Sequence, residues 1–87
     1  MFRMWGKEWK NNRIVRDTVI CNETRNTRTQ KVFQTLEDIC YEFDLQTPIW
    51  LNANIEEFQR ISKTRVYQDN FIENIDFEYL EIQLIEE

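Results

Sequence analysis

The stretch from Gln30 to Leu45 constrains the fold more than any other part of this chain. Val32, Phe33, Leu36, Ile39, Cys40 and Phe43 recur at helical spacing and fall on one broad apolar stripe. Gln34, Thr35, Glu37, Asp38, Glu42 and Asp44 fill the opposite side. Thr27 and Gln30 have the spacing of a capping box at the start of this helix. Thr47-Pro48 supplies a stop, because the residue before proline is pushed out of the α region. An amphipathic helix of this kind needs an apolar surface to lie on, and the remainder of the chain must provide it.

Residues 2–10 and 13–21 read as the two strands of a β-hairpin. They are rich in Val, Ile, Thr and aromatics, and Asn11-Asn12 tolerates the positive φ of a two-residue turn. With those asparagines as the loop, Trp9 faces Ile14, Lys7 faces Arg16, Trp5 faces Thr18, Met4 faces Val19 and Phe2 faces Cys21. This register gives a core face of Phe2, Met4, Val15, Val19 and Cys21. The other face carries Arg3, Trp5, Lys7 and Trp9, with Ile14, Arg16, Thr18 and Ile20 on the partner strand.

After the long helix, Ile49-Trp50-Leu51 suggests a brief strand. Asn54 and Glu57 again have capping-box spacing, and Ile55, Phe58 and Ile61 predict a second, two-turn helix. Lys63–Gln68 fits either a loop or a short strand, and 69–76 is an acidic connection. Residues 77–85 close the chain as a strand with Leu80, Ile82 and Leu84 on one face. The expected fold class is α+β in a single domain, residues 1–87. It has two layers: an antiparallel or mixed sheet, built from the N-terminal hairpin plus the C-terminal strand, covered on one face by the long amphipathic helix and the second short helix.

Charge is distributed unevenly along the chain. Residues 1–31 contain eight Lys/Arg against three Asp/Glu, and residues 32–87 contain three against thirteen, for a net charge of −5. Placing the last strand beside the hairpin brings its glutamates to the hairpin's basic residues. No run is long and apolar enough for a secretory signal or a membrane span, so a soluble cytoplasmic protein is the default. Two cysteines make no disulfide framework, and Cys21 and Cys40 are both expected as buried thiols.

Several chemistries lack their residues. Without histidine there is no Ser-His-Asp or Cys-His system, and the commonest metal ligand is missing. A lone glycine cannot build a phosphate-cradling loop. Asp69, Glu73 and Asp76 offer oxygen ligands, but the glycine and spacing of a calcium loop are missing, and a solvated connection is the plainer reading. No catalytic residue, metal site, cofactor or small-molecule substrate is therefore expected, and the chain is not expected to be an enzyme.

The segments FRMWGKEWK, TRTQKVF, LEDICYEFDLQTPIWL and FIENIDFEYLEIQ resemble a family of small bacterial cytoplasmic proteins with no assigned function. The resemblance spans nearly all 87 residues. It implies a bacterial cytoplasmic origin and brings no motif with a known role.

The candidate binding residues are Arg3, Trp5, Lys7, Trp9 and Arg16. Two indoles set among cations suit a protein interface, plausibly between two copies of the chain. They also suit single-stranded nucleic acid, with bases stacked on the indoles and phosphates on the cations. Lys7 and Arg16, placed opposite each other, would repel unless an anion lay between them, either a phosphate or the carboxylate of Glu81 or Glu86. The carboxylates of 69–87 admit a third reading, an acidic mimic of a nucleic-acid backbone that inhibits a partner enzyme.

Overall fold

The structure, a computed structural model, describes residues 1–87. It contains β1 (Phe2–Lys10), β2 (Arg13–Asn22), α1 (Arg28–Glu42), α2 (Asn52–Ile61), β3 (Lys63–Val66), one 3-10 turn at Gln68–Asn70, and β4 (Tyr79–Glu86). The four strands form one antiparallel sheet in the order β2-β1-β4-β3. The α+β class is as expected from the sequence, with β3 as an added strand. No helix is long and apolar enough to cross a membrane.

Helix α1 begins where its capping box predicts. Gln30 N–H donates to Thr27 Oγ1 at 3.2 Å, and Thr27 N–H donates to Gln30 Oε1 at 3.1 Å. It ends before Pro48 is reached. Asp44 adopts a left-handed conformation (φ 56°), and Leu45 N–H bonds back to the Cys40 carbonyl at 2.8 Å, the pattern of a Schellman ending. Val32, Leu36, Ile39, Cys40 and Phe43 are buried as the stripe requires, whereas Phe33 is half exposed, edge-on to Trp50. Thr35, on the polar side of the sequence pattern, is fully buried.

Helix α2 starts two residues earlier than Asn54. Asn54 sits in its first turn and accepts from Leu51 N–H at 3.1 Å. Ile49-Trp50-Leu51 forms no strand of the sheet, and Leu51, in an extended conformation, is the N-cap of α2. A buried asparagine network holds this region. Asn54 Nδ2 donates to Thr64 Oγ1 and to the Arg65 carbonyl, and Asn70 Nδ2 donates to Asn54 Oδ1 and the Ile49 carbonyl. All of Asn54's side-chain polar atoms are matched, so the cost of burying them is met within the network.

The main correction concerns the hairpin register. Asn11 (φ 54°) and Asn12 (φ 61°) form the expected turn, and Trp9 pairs with Ile14. A β-bulge then intervenes and Glu8 pairs with Arg16, skipping Val15. From there every pair is displaced by one residue: Lys7 with Asp17, Gly6 with Thr18, Trp5 with Val19, Met4 with Ile20 and Phe2 with Asn22. A one-residue shift exchanges the faces of a strand. Val15 (52 % exposed), Val19 (43 %) and Cys21 are therefore exposed rather than core, and Ile20 packs against the core in their place.

The core comprises Phe2 and Met4 from β1, Leu80 and Ile82 from β4, the stripe residues Val32, Leu36, Ile39, Cys40 and Phe43, and Phe58, Val66, Phe71 and Phe77. Gly6 lies where α1 crosses the sheet: a Cβ there would meet Ile39 Cγ2 at 2.6 Å. Glycine is needed for that close approach.

Candidate functional site

Strand alternation puts Arg3, Trp5, Lys7 and Trp9 on one side of β1 and Phe2, Met4, Gly6 and Glu8 on the other. Gly6 meets α1, so the four candidates project from the opposite surface of the sheet. Their cross-strand neighbours there are Cys21, Val19, Asp17 and Ile14 on β2 and Glu86, Gln83, Glu81 and Tyr79 on β4.

Arg3, Lys7 and Arg65 on this surface are paired with carboxylates of the chain, whereas Lys63, opposite Gln83, forms no ion pair. Lys7 Nζ lies 2.9 Å from Glu81 Oε1, donates to Gln83 Oε1 at 3.1 Å, and sits 3.9 Å from the Trp5 ring centroid. Lys7 is only 5 % exposed and Glu81 4 %. Arg65 Nε reaches the other Glu81 oxygen at 3.1 Å, so one carboxylate serves two cations. Burial alone would raise the Glu81 pKa, but the hydrogen bonds from Lys7 and Arg65 outweigh it and hold the carboxyl below its usual range. Arg3 pairs with Glu86 at 3.1 Å.

The aromatics form a second feature of the same surface. Trp5 and Trp9 are both partly buried. Trp5 Nε1 donates to Asp17 Oδ2 at 2.8 Å, which fixes its indole over the hairpin. Trp9 stacks on Tyr79 with centroids 6.2 Å apart, and Tyr79 leans on Tyr67 at 5.3 Å. Trp9 Nε1 is buried without an acceptor in the chain.

Arg16 does not belong to this group. The bulge turns it to the α1 side, where Nε and Nη2 grip the two oxygens of buried Glu8 at 2.7 and 3.0 Å. Nη2 also donates to the Phe43 carbonyl at 2.8 Å, at the C-terminal end of α1, and the guanidinium covers the Phe43 ring. The hydrogen bond to Glu8 raises the Arg16 pKa. A bidentate clamp on a helix C-terminus is a structural role. The repulsion expected between Lys7 and Arg16 does not arise, because Asp17 and Glu8 stand opposite them.

Tyr79, Tyr67 and Val19 join the site although the sequence did not single them out, and Glu81 joins it as the carboxylate that the sequence offered to the hairpin's cations. Alternation along β4 carried the signal for Tyr79 and Glu81, whereas Val19 was hidden by the register shift. In the acidic connection, Glu73 Oε1 accepts from Gln46 N–H at 2.9 Å, and no three His, Cys, Asp or Glu side chains group so as to hold a metal ion. No family model, curated protein or solved structure matches this chain.

Proposed function

We propose that this chain is a non-enzymatic protein-interaction module, and that it docks another protein surface, a further copy of itself included, on the sheet face of Trp5 and Trp9. One observation carries the reading: three of the four cations on the indole-bearing face, Arg3, Lys7 and Arg65, are already held in ion pairs with the chain's own carboxylates. A polyanion gains its affinity from free Lys and Arg that displace its counterions. Here Lys7 is buried in an ion pair and Arg16 is on the other side of the sheet, which leaves an aromatic surface on which Lys63 is the one cation outside an ion pair. Such surfaces suit protein contacts, where Trp and Tyr supply large contact area and a hydrogen-bonding edge.

The test compares wild type with Trp5→Ala and Trp9→Ala. Association through this face, read as a blue shift of tryptophan emission with rising protein concentration, should disappear in both variants. Single-stranded DNA and RNA pools at low salt should not be retained. Salt-sensitive retention that both substitutions abolish would overturn the assignment and make the chain a nucleic-acid binder.

A further inference from the structure

The two edges of the sheet are treated differently. Edge strand β3 has four residues, and the Arg65 carbonyl, which faces away from β4, is taken up by Asn54 Nδ2 at 2.9 Å. Edge strand β2 has ten residues, contains no proline or lysine, and has no partner on its outer side. Its bulge and both its arginines lie in its first half. In the segment Asp17–Asn22 the one feature that blunts a free edge is the Asp17 carboxylate, and that is engaged by Trp5 Nε1 at 2.8 Å.

The backbone groups presented there can be identified. Trp9 accepts from Glu78 N–H at 2.9 Å, so its carbonyl turns towards β4. Antiparallel ladders alternate, so Arg3, Trp5 and Lys7 also address β4, while Met4, Gly6 and Glu8 address β2. The β2 partners of the first group, Asp17, Val19 and Cys21, consequently point their N–H and C=O groups outwards.

We propose that this edge pairs antiparallel with the same edge of a second copy, with Val19 opposite Val19 on the two-fold axis, giving one continuous eight-stranded sheet. The side-chain pattern selects both occupant and register. Centred on Val19, Asp17 meets Cys21, Thr18 meets Ile20 and Arg16 meets Asn22, so no like charges oppose and the paired stretch, 16–22, is free of the bulge. Centring on Asp17 sets two carboxylates face to face, and centring on Thr18 forces Cys21 against the bulged Val15. The axis stands perpendicular to the sheet, so the two Trp-bearing faces become coplanar. This pairing is independent of whether that face docks a partner.

Light scattering on the full chain tests it. Wild type should show twice the 10.8 kDa monomer mass. Val19→Lys and Val19→Glu, at an exposed site and each combined with Trp5→Ala so that the indole face contributes no association, should be monomeric, and an equimolar mixture of the two should recover the double mass. Trp5→Ala and Trp9→Ala should remain dimeric. A monomeric wild type at millimolar concentration overturns the proposal, as does a dimer that survives Val19→Lys in the Trp5→Ala background. Association lost in the Trp variants as well overturns it in favour of the face. Circular dichroism of each variant confirms that the monomers measured are folded.

Discussion

At the scale of single residues, the contact between Gly6 and Ile39 makes the sharpest demand. A β-carbon at residue 6 would meet Cγ2 of Ile39 at 2.6 Å and Cδ1 at 3.1 Å, and Ile39 has no exposed surface through which to yield. Overpacking of this kind costs ~1–3 kcal/mol, against about 0.5–1 kcal/mol regained from replacing a flexible glycine in a strand. Gly6→Ala should therefore destabilise by on the order of 1 kcal/mol in urea denaturation. The clash is with the β-branch methyl, so adding Ile39→Leu, which removes Cγ2, should recover part of the loss. Adding Ile39→Val, which keeps it, should not. Equal behaviour of the two double variants would show that α1 shifts bodily. The two thiols differ at this scale too. Burial, reinforced by the nearby carboxylates Glu73, Glu8 and Glu37, pushes Cys40 up to about 12 and leaves it inert at neutral pH, while Cys21 stands exposed on the free edge.

At the scale of elements, the bulge at Val15 decides which side of the sheet each β2 residue joins. Val15 is the residue skipped between the Trp9–Ile14 and Glu8–Arg16 pairs, so its deletion leaves every other pair intact. The deletion should fold with stability within about 1 kcal/mol of wild type, since it removes an exposed side chain and regularises the ladder. Deleting Val19 instead turns Arg16 and Thr18 away from Glu8 and Glu42, strips the Glu8 carboxylate of its clamp, and should abolish the cooperative thermal transition. Two cooperative transitions at similar temperature would refute this account of the register. The same bulge marks the limit of what the sequence discloses. Helix α1, its capping box, the Asn-Asn turn and the alternating β4 all followed from local patterns, because each is fixed by neighbours a few residues apart. The bulge has no such marker: Ile14-Val15 reads as unbroken strand, and a regular ladder swaps the sides of β2 and places Arg16 among the indoles. The asparagine network was equally hidden. Asn54 and Asn70 look like cap and loop residues, and their joint burial comes from contacts 16 positions apart in the chain. The early end of α1 at Asp44 follows from a left-handed residue that is not glycine, for which Pro48 was a misleading guide.

At the scale of the whole molecule, the basic first third and the acidic remainder meet along the β1–β4 seam and at the chain ends. Arg3 pairs with Glu86, Lys7 with Glu81 and Arg28 with Glu87. These pairs differ in weight. Those to Glu86 and Glu87 are roughly half exposed on both sides, a setting where ion pairs contribute ~0–1 kcal/mol and weaken with salt. Glu81 is buried, and it joins β1, β4 and β3 through Lys7 and Arg65. Removing one partner of a buried pair leaves the other charge unmatched, at a cost of about 3–5 kcal/mol. Glu81→Gln should therefore lower the melting temperature at neutral pH by several degrees or more. The dependence on acid follows from the depressed pKa. In the unfolded chain Glu81 titrates near its ordinary value, in the folded chain below 4.5, so the folded state holds fewer protons between the two. The stabilisation is fully present above about pH 5 and is lost as the pH falls through the folded value. The gap in melting temperature between wild type and Glu81→Gln should be constant from pH 5 to 8 and narrow below pH 4. Raising the salt concentration to 1 M should leave most of the gap in place, because a pair so little exposed is poorly screened. A gap that closes with salt at neutral pH, or that persists unchanged at pH 3, would show that Glu81 acts through packing and not through its charge.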